Sequence, residues 1–237
     1  MGSSSIRFNR RINSSWLMLL LGAVLFYFSN PCVLFPHGLG ILSFVSLVPV
    51  FLCVRNSSFK DVWLKGFLYG ALSYALYCYW LYSFNPLTML IAILFYSVIL
   101  SFVFLLLKAS DTFSKKYSFF FQAVVWCAYE YVKTLGFLGF SYGVIGYTQW
   151  KNSVLLQNAS WGGVWSLSLF CALFCAVLCF FITERKIFVK KIPVLLSLAY
   201  LCFCLTWGGI SLSKEKNRAL LNKDFVKVVC VQNNTDS

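Results

Sequence analysis

Glu130 and Lys133 are two ionisable residues in a stretch of chain, residues 117–135, that is otherwise mostly apolar. Their three-residue spacing places both side chains on one face of a helix. A charge at the centre of a membrane costs roughly 2.5–3.5 kcal/mol on insertion scales, so such residues usually face a partner or a water-filled cavity. Two interpretations stay open. The pair neutralises itself, with Lys133 reaching towards the interface, or it forms a polar lining beneath a binding site.

The segment that follows, residues 136–150, contains four glycines and five aromatic residues. Each Gly costs about 1 kcal/mol relative to Ala inside a helix, so the segment is predicted to be irregular. An aromatic, flexible segment at a membrane interface suits contact with lipid headgroups or acyl chains, and a simple interfacial anchor is the alternative. Tyr147 and Gln149 in this segment, and Trp80 further upstream, are further candidates for a substrate or lipid path.

The ten cysteines raise the question of a metal site. There is no Cys-x-x-Cys motif and His37 is the only histidine, so zinc lacks its usual set of ligands. Cys171, Cys175 and Cys179 share one helical face at four-residue spacing. We interpret them as small groups that let helices pack closely. The sequence predicts neither a metal nor a cofactor.

The elements that position these residues follow from the composition. The chain is 60% apolar and only 11% charged, whereas soluble domains carry about 25% charged residues. Seven apolar runs predict an all-α polytopic membrane protein with about seven transmembrane helices. The predicted spans are residues 16–35, 39–54, 62–84, 86–107, 117–135, 159–182 and 192–210. The second reaches only about 24 Å of a roughly 30 Å core, so it borrows neighbouring residues or forms a shallow hairpin with the first.

The first run follows a basic N-terminal segment, residues 1–15. This arrangement is also typical of a cleaved signal peptide, or of a lipoprotein signal ending at Cys32. Pro31 directly before Cys32, and the six further apolar runs, favour an uncleaved first span.

The basic residues alternate between the gaps that separate the spans. Four clusters hold 13 of the 20 basic residues and occupy every second gap, whereas the intervening gaps hold only Lys151. The clusters are Arg7, Arg10 and Arg11; Arg55, Lys60 and Lys65; Lys108, Lys115 and Lys116; and Arg185, Lys186, Lys190 and Lys191. Because Lys and Arg stay on the cytoplasmic side, the N-terminus is predicted to be cytoplasmic and the C-terminal tail to lie on the opposite side. A net charge of +13 spread in this way argues against nucleic-acid binding.

Residues 211–237 form the last predicted region. Residues 213–224 are predicted to be a charged linker, too polar for hydrocarbon, and residues 225–231 (Phe-Val-Lys-Val-Val-Cys-Val) a short strand. A single strand is not stable alone, so this region either begins a further domain or is disordered.

Seven short segments occur in an order that is typical of one family. They are residues 65–70 leading to Trp80, 129–133 (Tyr-Glu-Tyr-Val-Lys), 139–140 (Gly-Phe), 146–149 (Gly-Tyr-Thr-Gln), 156–159 (Leu-Gln-Asn-Ala), 163–168 (Gly-Val-Trp-Ser-Leu-Ser) and 228–233. Together they resemble the membrane half of bacterial apolipoprotein N-acyltransferases. The family commonly has Pro-Trp after the Gly-Phe pair, where this chain has Ser141-Tyr142.

The resemblance implies an enzyme of the bacterial inner membrane that carries a nitrilase-like α/β domain on the periplasmic side, before a last membrane helix. A Glu–Lys–Cys triad in that domain takes an acyl chain from a phospholipid as a thioester. It then passes the chain to the N-terminal amine of a diacylglyceryl-cysteine lipoprotein. The implied partners are the phospholipid acyl donor, the diacylglyceryl apolipoprotein acceptor and membrane lipids.

The resemblance covers roughly the first half of the family, and residues 225–231 correspond to the first strand of the nitrilase-like domain. No triad residue carries over, since Cys230 lies within that strand and has no acid–Lys pair near it in sequence. The chain is therefore expected to be a truncated membrane module that is inactive alone. The alternative from another class is a small polytopic transporter or lipid-binding scaffold with Glu130 and Lys133 as its polar site. The absence of an internal repeat and the odd number of spans argue against a transporter.

Overall fold

The computed structural model describes residues 2–113, 117–136, 139–183 and 191–221, with side chains described except at residues 2–14, 191, 193 and 219–221. This part of the chain is helical and contains no strand. The α-helices are α1 (Gly2–Ser29), α2 (Ser43–Ser46), α3 (Val48–Arg55), α4 (Phe59–Tyr77), α5 (Pro86–Phe113), α6 (Ser118–Val132), α7 (Ser153–Leu156), α8 (Ala159–Thr183) and α9 (Lys191–Leu221). Short 3-10 helices cover Gly40–Leu42, Tyr79–Ser83 and Ile145–Gln149. The predicted all-α class is confirmed for these residues.

Within the part of the chain that the structure describes, three helices are long and apolar enough to cross a membrane. They are Pro86–Phe113, Ala159–Thr183 and Val194–Arg218, which coincide with the fourth, sixth and seventh predicted spans. The other four predicted spans also fall on helical segments. Two of these, Ser15–Ser29 and Gly40–Arg55, are apolar but shorter. Seven crossings therefore remain a prediction.

The ends of several helices differ from the predicted spans. α1 ends at Ser29, because the side chains of Ser29 and Asn30 donate to the Phe26 carbonyl at 2.7 and 2.9 Å just before Pro31. α4 ends at Tyr77, and the rest of the third predicted span continues as the 3-10 helix Tyr79–Ser83. The predicted strand at residues 225–231 lies outside the described residues.

The largest difference is at the seventh predicted span, whose helix extends beyond the predicted membrane boundary at residue 210. α9 continues to Leu221, through most of the predicted linker. Residues 214–221 are rich in Lys, Glu, Arg, Ala and Leu, which favour helix, and Glu215 pairs with Arg218 at 3.2 Å one turn apart. Polar residues in the sequence mark the predicted boundary of the membrane, but a helix can continue past that boundary.

Two glycines of α4 bring its backbone close to that of α5. A methyl group at Gly66 would lie 2.7 Å from the Leu100 carbonyl oxygen, and one at Gly70 would lie 2.6 Å from the Cα of Ser97. Glycine therefore lets the two backbones approach, as is typical of helix packing in membranes.

The cysteine face of α8 packs against the broken segment α2–α3. Cys175 donates to the Phe44 carbonyl at 3.0 Å, and Cys171 lies 3.5 Å from the Ser43 hydroxyl. The helical pattern is interrupted at Leu47, between α2 and α3, which leaves nearby carbonyls free to accept these bonds. The packing interpretation of these cysteines is confirmed.

One end of the bundle gathers the ends of α3, α5 and α8, and we call it the basic end, defined by Arg55, Lys65, Lys108 and Asp111. The Lys108 ammonium donates to the Arg55 carbonyl at 3.2 Å and pairs with Asp111 at 3.1 Å. Arg55 in turn donates to the Thr183 hydroxyl at 3.4 Å. Lys65 is 5% exposed and donates to the Ser57 hydroxyl at 2.8 Å. These cations tie helix ends together.

Candidate functional site

Glu130 lies in the last turn of α6 and is completely buried. Its Oε1 atom accepts a hydrogen bond from the Ile145 backbone amide at 2.9 Å and another from the Trp126 indole at 3.0 Å. Ile145 is the first residue of the 3-10 helix Ile145–Gln149, whose opening amides lack partners within that helix. The carboxyl group therefore caps this helix from another part of the chain.

Lys133 follows one turn later and is 7% exposed. Its ammonium group donates to the Tyr142 carbonyl at 2.9 Å and to the Gly143 carbonyl at 3.0 Å, and lies 3.5 Å from the Tyr74 hydroxyl. We call residues 139–150 the aromatic loop. Among the described residues, Glu130 and Lys133 bond to this loop and to neighbouring rings rather than to each other, so mutual neutralisation by direct contact is not what the structure shows.

Ser168 completes the attachment of the aromatic loop. Its hydroxyl accepts from the Gly146 amide at 3.2 Å, next to the amide that Glu130 caps. Gly146 itself packs tightly, since a methyl group there would lie 2.6 Å from the Val164 carbonyl oxygen. Gly143 has φ +71°, a conformation that favours glycine. The loop is thus held against α6 and α8 by defined bonds, although it contains only one short helix.

Gln149 joins the aromatic loop to the segment before α2. Its side-chain amide donates to the Gly40 carbonyl and the Ser43 hydroxyl, both at 2.8 Å. The side chain is 3% exposed, so it is a structural tie between two segments distant in sequence.

Trp80 begins a row of aromatic rings that runs into the bundle. Its ring lies 5.1 Å from Tyr142, which lies 5.2 Å from Phe140. Phe140 lies 5.3 Å from Tyr96, and Tyr96 stacks on Tyr74 at 4.6 Å. These separations are typical of favourable aromatic pairs. Tyr142 is the second ring of this row, at the position where the sequence departs from the family pattern.

A groove opens between α5 and α6 beside this row, and we call it the α5–α6 groove. Its volume is about 500 Å³. It is lined by Phe95, Tyr96, Ile99, Phe102, Val103, Leu106, Val125, Ala128, Tyr129, Val132, Lys133 and Leu135. Lys133 is the one charged residue in this lining.

The structure places all five predicted site residues at one end of the bundle, and four of them are joined by shared contacts. Glu130, Lys133 and Gln149 hold the aromatic loop, and Trp80 contacts it through Tyr142. Tyr147 is 48% exposed and takes no part in these bonds. Ser168 was not predicted individually, although it ends the motif at residues 163–168. Its polar side chain in an otherwise apolar run was the available signal.

The chain matches the family model described as the apolipoprotein N-acyltransferase N-terminal domain over residues 22–177. It is 42% identical over 152 residues to apolipoprotein N-acyltransferase 1 of Treponema denticola, an alignment that covers 64% of this chain and 28% of the relative. It is 40% identical over 153 residues to apolipoprotein N-acyltransferase 1 of Treponema pallidum, covering 65% of this chain and 28% of the relative. Apolipoprotein N-acyltransferase 2 of Treponema denticola is 27% identical over 242 residues, covering 94% of this chain and 44% of the relative.

The apolar helices and the buried loop-holding site define a helical membrane protein. The chain belongs to the apolipoprotein N-acyltransferase family. The resemblance that the sequence motifs indicated is therefore confirmed. In both of the more similar relatives, the matched region is 28% of the protein.

Proposed function

We propose that residues 1–237 form the membrane module of an apolipoprotein N-acyltransferase in the bacterial inner membrane. The complete enzyme transfers an acyl chain from a phospholipid to the N-terminal amine of a diacylglyceryl-cysteine lipoprotein. The observation that carries this proposal is the aromatic loop, which Glu130, Lys133, Ser168 and Gln149 hold beside an apolar groove. All of these residues lie within the region that matches the family.

The bonding of the two charged residues supports a positioning role rather than a chemical one. Glu130 accepts from two N–H groups, and Lys133 donates to two carbonyls. These contacts fix the position of the aromatic loop beside the groove. We therefore propose that acyl transfer is performed by a nitrilase-like domain docked at this end, and that residues 1–237 alone do not catalyse it.

The orientation is also part of the proposal. The basic end contains Arg55, Lys65 and Lys108, whereas the aromatic loop lies at the opposite ends of α4 and α6. Because basic residues favour the cytoplasmic side, we place the aromatic loop at the periplasmic face. With seven crossings, α9 also ends on that face, where a nitrilase-like domain would be positioned above the loop.

A chimera tests the proposal directly. In Treponema denticola apolipoprotein N-acyltransferase 1, the segment that aligns with this chain is replaced by the corresponding residues of this chain. The chimera is produced in cells depleted of their own N-acyltransferase. Mass spectrometry of a reporter lipoprotein then distinguishes a diacylated from a triacylated N-terminus.

We expect the chimera to restore the triacylated N-terminus and the 237-residue chain alone to leave it diacylated. The unmodified relative is the positive control, and membrane insertion is checked for every protein. Triacylation by the 237-residue chain alone would refute the need for a separate catalytic domain. If the chimera is inserted and folded but inactive, while the unmodified relative is active, the proposal that this chain is an N-acyltransferase membrane module would be contradicted.

A further inference from the structure

We infer that the α5–α6 groove binds one acyl chain of a phospholipid. The choice of a phospholipid rests on the proposed function, whereas the presence of a chain-binding site rests on the shape and chemistry of the groove. The dimensions of the groove, its wall, its opening and its charged end each fit such a chain.

The dimensions of the groove fit a hydrocarbon chain. The α5 side of the lining runs from Phe95 to Leu106, which is roughly 16 Å at the helical rise of 1.5 Å per residue. A volume of about 500 Å³ over that length gives a width of at least roughly 6 Å. Carbon atoms pack at about 4 Å, so one hydrocarbon chain fits this width.

The wall of the groove suits hydrocarbon. Its polar members are Tyr96, Tyr129 and Lys133, and the rest of the lining is apolar. The Tyr129 hydroxyl bonds to the Tyr74 hydroxyl at 3.1 Å, and Lys133 bonds to two loop carbonyls. Since Tyr129 and Lys133 already have partners, a bound chain would leave no hydrogen bond of these two residues unmade.

The groove opens sideways from the bundle. Its floor contains the buried residues Tyr96, Val103 and Tyr129, whereas its rim contains Phe102, which is 59% exposed, and Val132, which is 63% exposed. α5 is one of the helices long and apolar enough to span a membrane. A groove on its outward face would therefore open into the hydrocarbon of the bilayer, where acyl chains are the surrounding molecules.

The two ends of the groove differ in polarity. One end reaches Lys133, next to the aromatic loop, and the other reaches Leu106. Trp and Tyr side chains prefer the depth of lipid headgroups. A phospholipid seated here would place its ester region near the loop and its methyl end towards Leu106. The aromatic loop and the groove would then act on the same molecule.

Photo-crosslinking of the 237-residue chain in nanodiscs tests this site. The probe is a phosphatidylethanolamine with a diazirine on one acyl chain, and mass spectrometry locates the crosslinked peptides. We expect crosslinks concentrated on groove residues of α5 and α6. Ala128→Trp is expected to lower their yield about tenfold, since an indole occupies the space of the chain. Val124→Trp is the matched control, because Val124 is exposed one turn earlier on α6 and lies outside the lining.

A second pair of variants, on α5, tests the same groove independently of Ala128→Trp. Ile99→Trp narrows the groove from α5, whereas Val98→Trp alters the neighbouring exposed position outside it. Crosslinks spread evenly over α5, α6 and α9, or equally reduced by groove and control variants, would overturn the inference. The crosslinking readout requires no acyl transfer. An inactive chimera would thus count against the proposed function, and dispersed crosslinks against the groove.

Discussion

The two ends of the bundle both bury a lysine against backbone carbonyls, but they use its acidic neighbour differently. At the basic end, Lys108 bonds to the Arg55 carbonyl and pairs directly with Asp111 at 3.1 Å. At the aromatic loop, Lys133 bonds to two carbonyls while Glu130, three residues earlier, caps the Ile145 amide. At the basic end, the ion-paired lysine holds the ends of neighbouring helices together. Separated charges hold an irregular segment, because its amides and carbonyls lack helical partners.

The comparison predicts that removing charge at the loop costs more than removing it at the basic end. Glu130→Ala should have the largest effect. It leaves the Ile145 amide and the Trp126 indole without their buried acceptor, a loss of roughly 4 kcal/mol, because each unsatisfied buried donor costs about 1–3 kcal/mol. Thermal unfolding in detergent checks stability. In the chimera, Glu130→Gln should slow acyl transfer without lowering the protein level, because it keeps an oxygen acceptor but removes the charge.

Asp111→Ala is the control at the basic end. Lys108 retains its bond to the Arg55 carbonyl but loses a buried carboxylate partner, so we expect a loss of roughly 1.5–3 kcal/mol, smaller than that of Glu130→Ala. Equal losses for the two variants would remove the proposed distinction between the ends.

Lys133→Met should have the next largest effect. The Tyr142 and Gly143 carbonyls lose their donor, which costs roughly 2–3 kcal/mol, and the aromatic loop should detach from α6. Limited proteolysis within residues 139–150 measures this detachment. Lys108→Met is the matched substitution at the basic end, where no increase in loop cleavage is expected. A loop that stays protected in Lys133→Met would show that Glu130, Ser168 and Gln149 suffice to hold it.

Ser168→Ala should have the smallest effect of the three. It leaves the Gly146 amide without a partner at a cost of about 1 kcal/mol, and it sharpens the comparison by testing a neutral contact of the same loop. Ser97→Ala is the control, since the Ser97 hydroxyl only bonds to the Ile93 carbonyl of its own helix at 2.6 Å. Thermal unfolding distinguishes the two, and a Ser97→Ala loss as large as that of Ser168→Ala would argue against a specific role for Ser168.

The sequence predicted the all-α class, and it predicted Glu130 and Lys133, for one physical reason. Charges and long apolar runs have strong, opposite preferences for hydrocarbon, so both are visible without a structure. The motifs also predicted the family. The partners of Glu130 and Lys133 could not be predicted, because they depend on the path of an irregular loop through the positive φ of Gly143.

Other features carried too weak a signal. Serine is common in membrane helices, so Ser168 did not differ from Ser166 until the Gly146 amide was placed beside it. The continuation of α9 beyond residue 210 was not predicted, because hydropathy predicts the membrane boundary, whereas residues 211–221 keep their helix through propensity.

The proposed function depends most on which end of the bundle faces the periplasm. Lys151, beside the aromatic loop, and Lys60, at the start of α4, are both exposed. Each is replaced by cysteine, and intact spheroplasts are treated with a membrane-impermeant maleimide, with the parent chain subtracted as background. We predict labelling of Lys151→Cys in intact spheroplasts and of Lys60→Cys only after permeabilisation. Labelling of Lys60→Cys alone in intact spheroplasts would place the aromatic loop in the cytoplasm and contradict the proposed module.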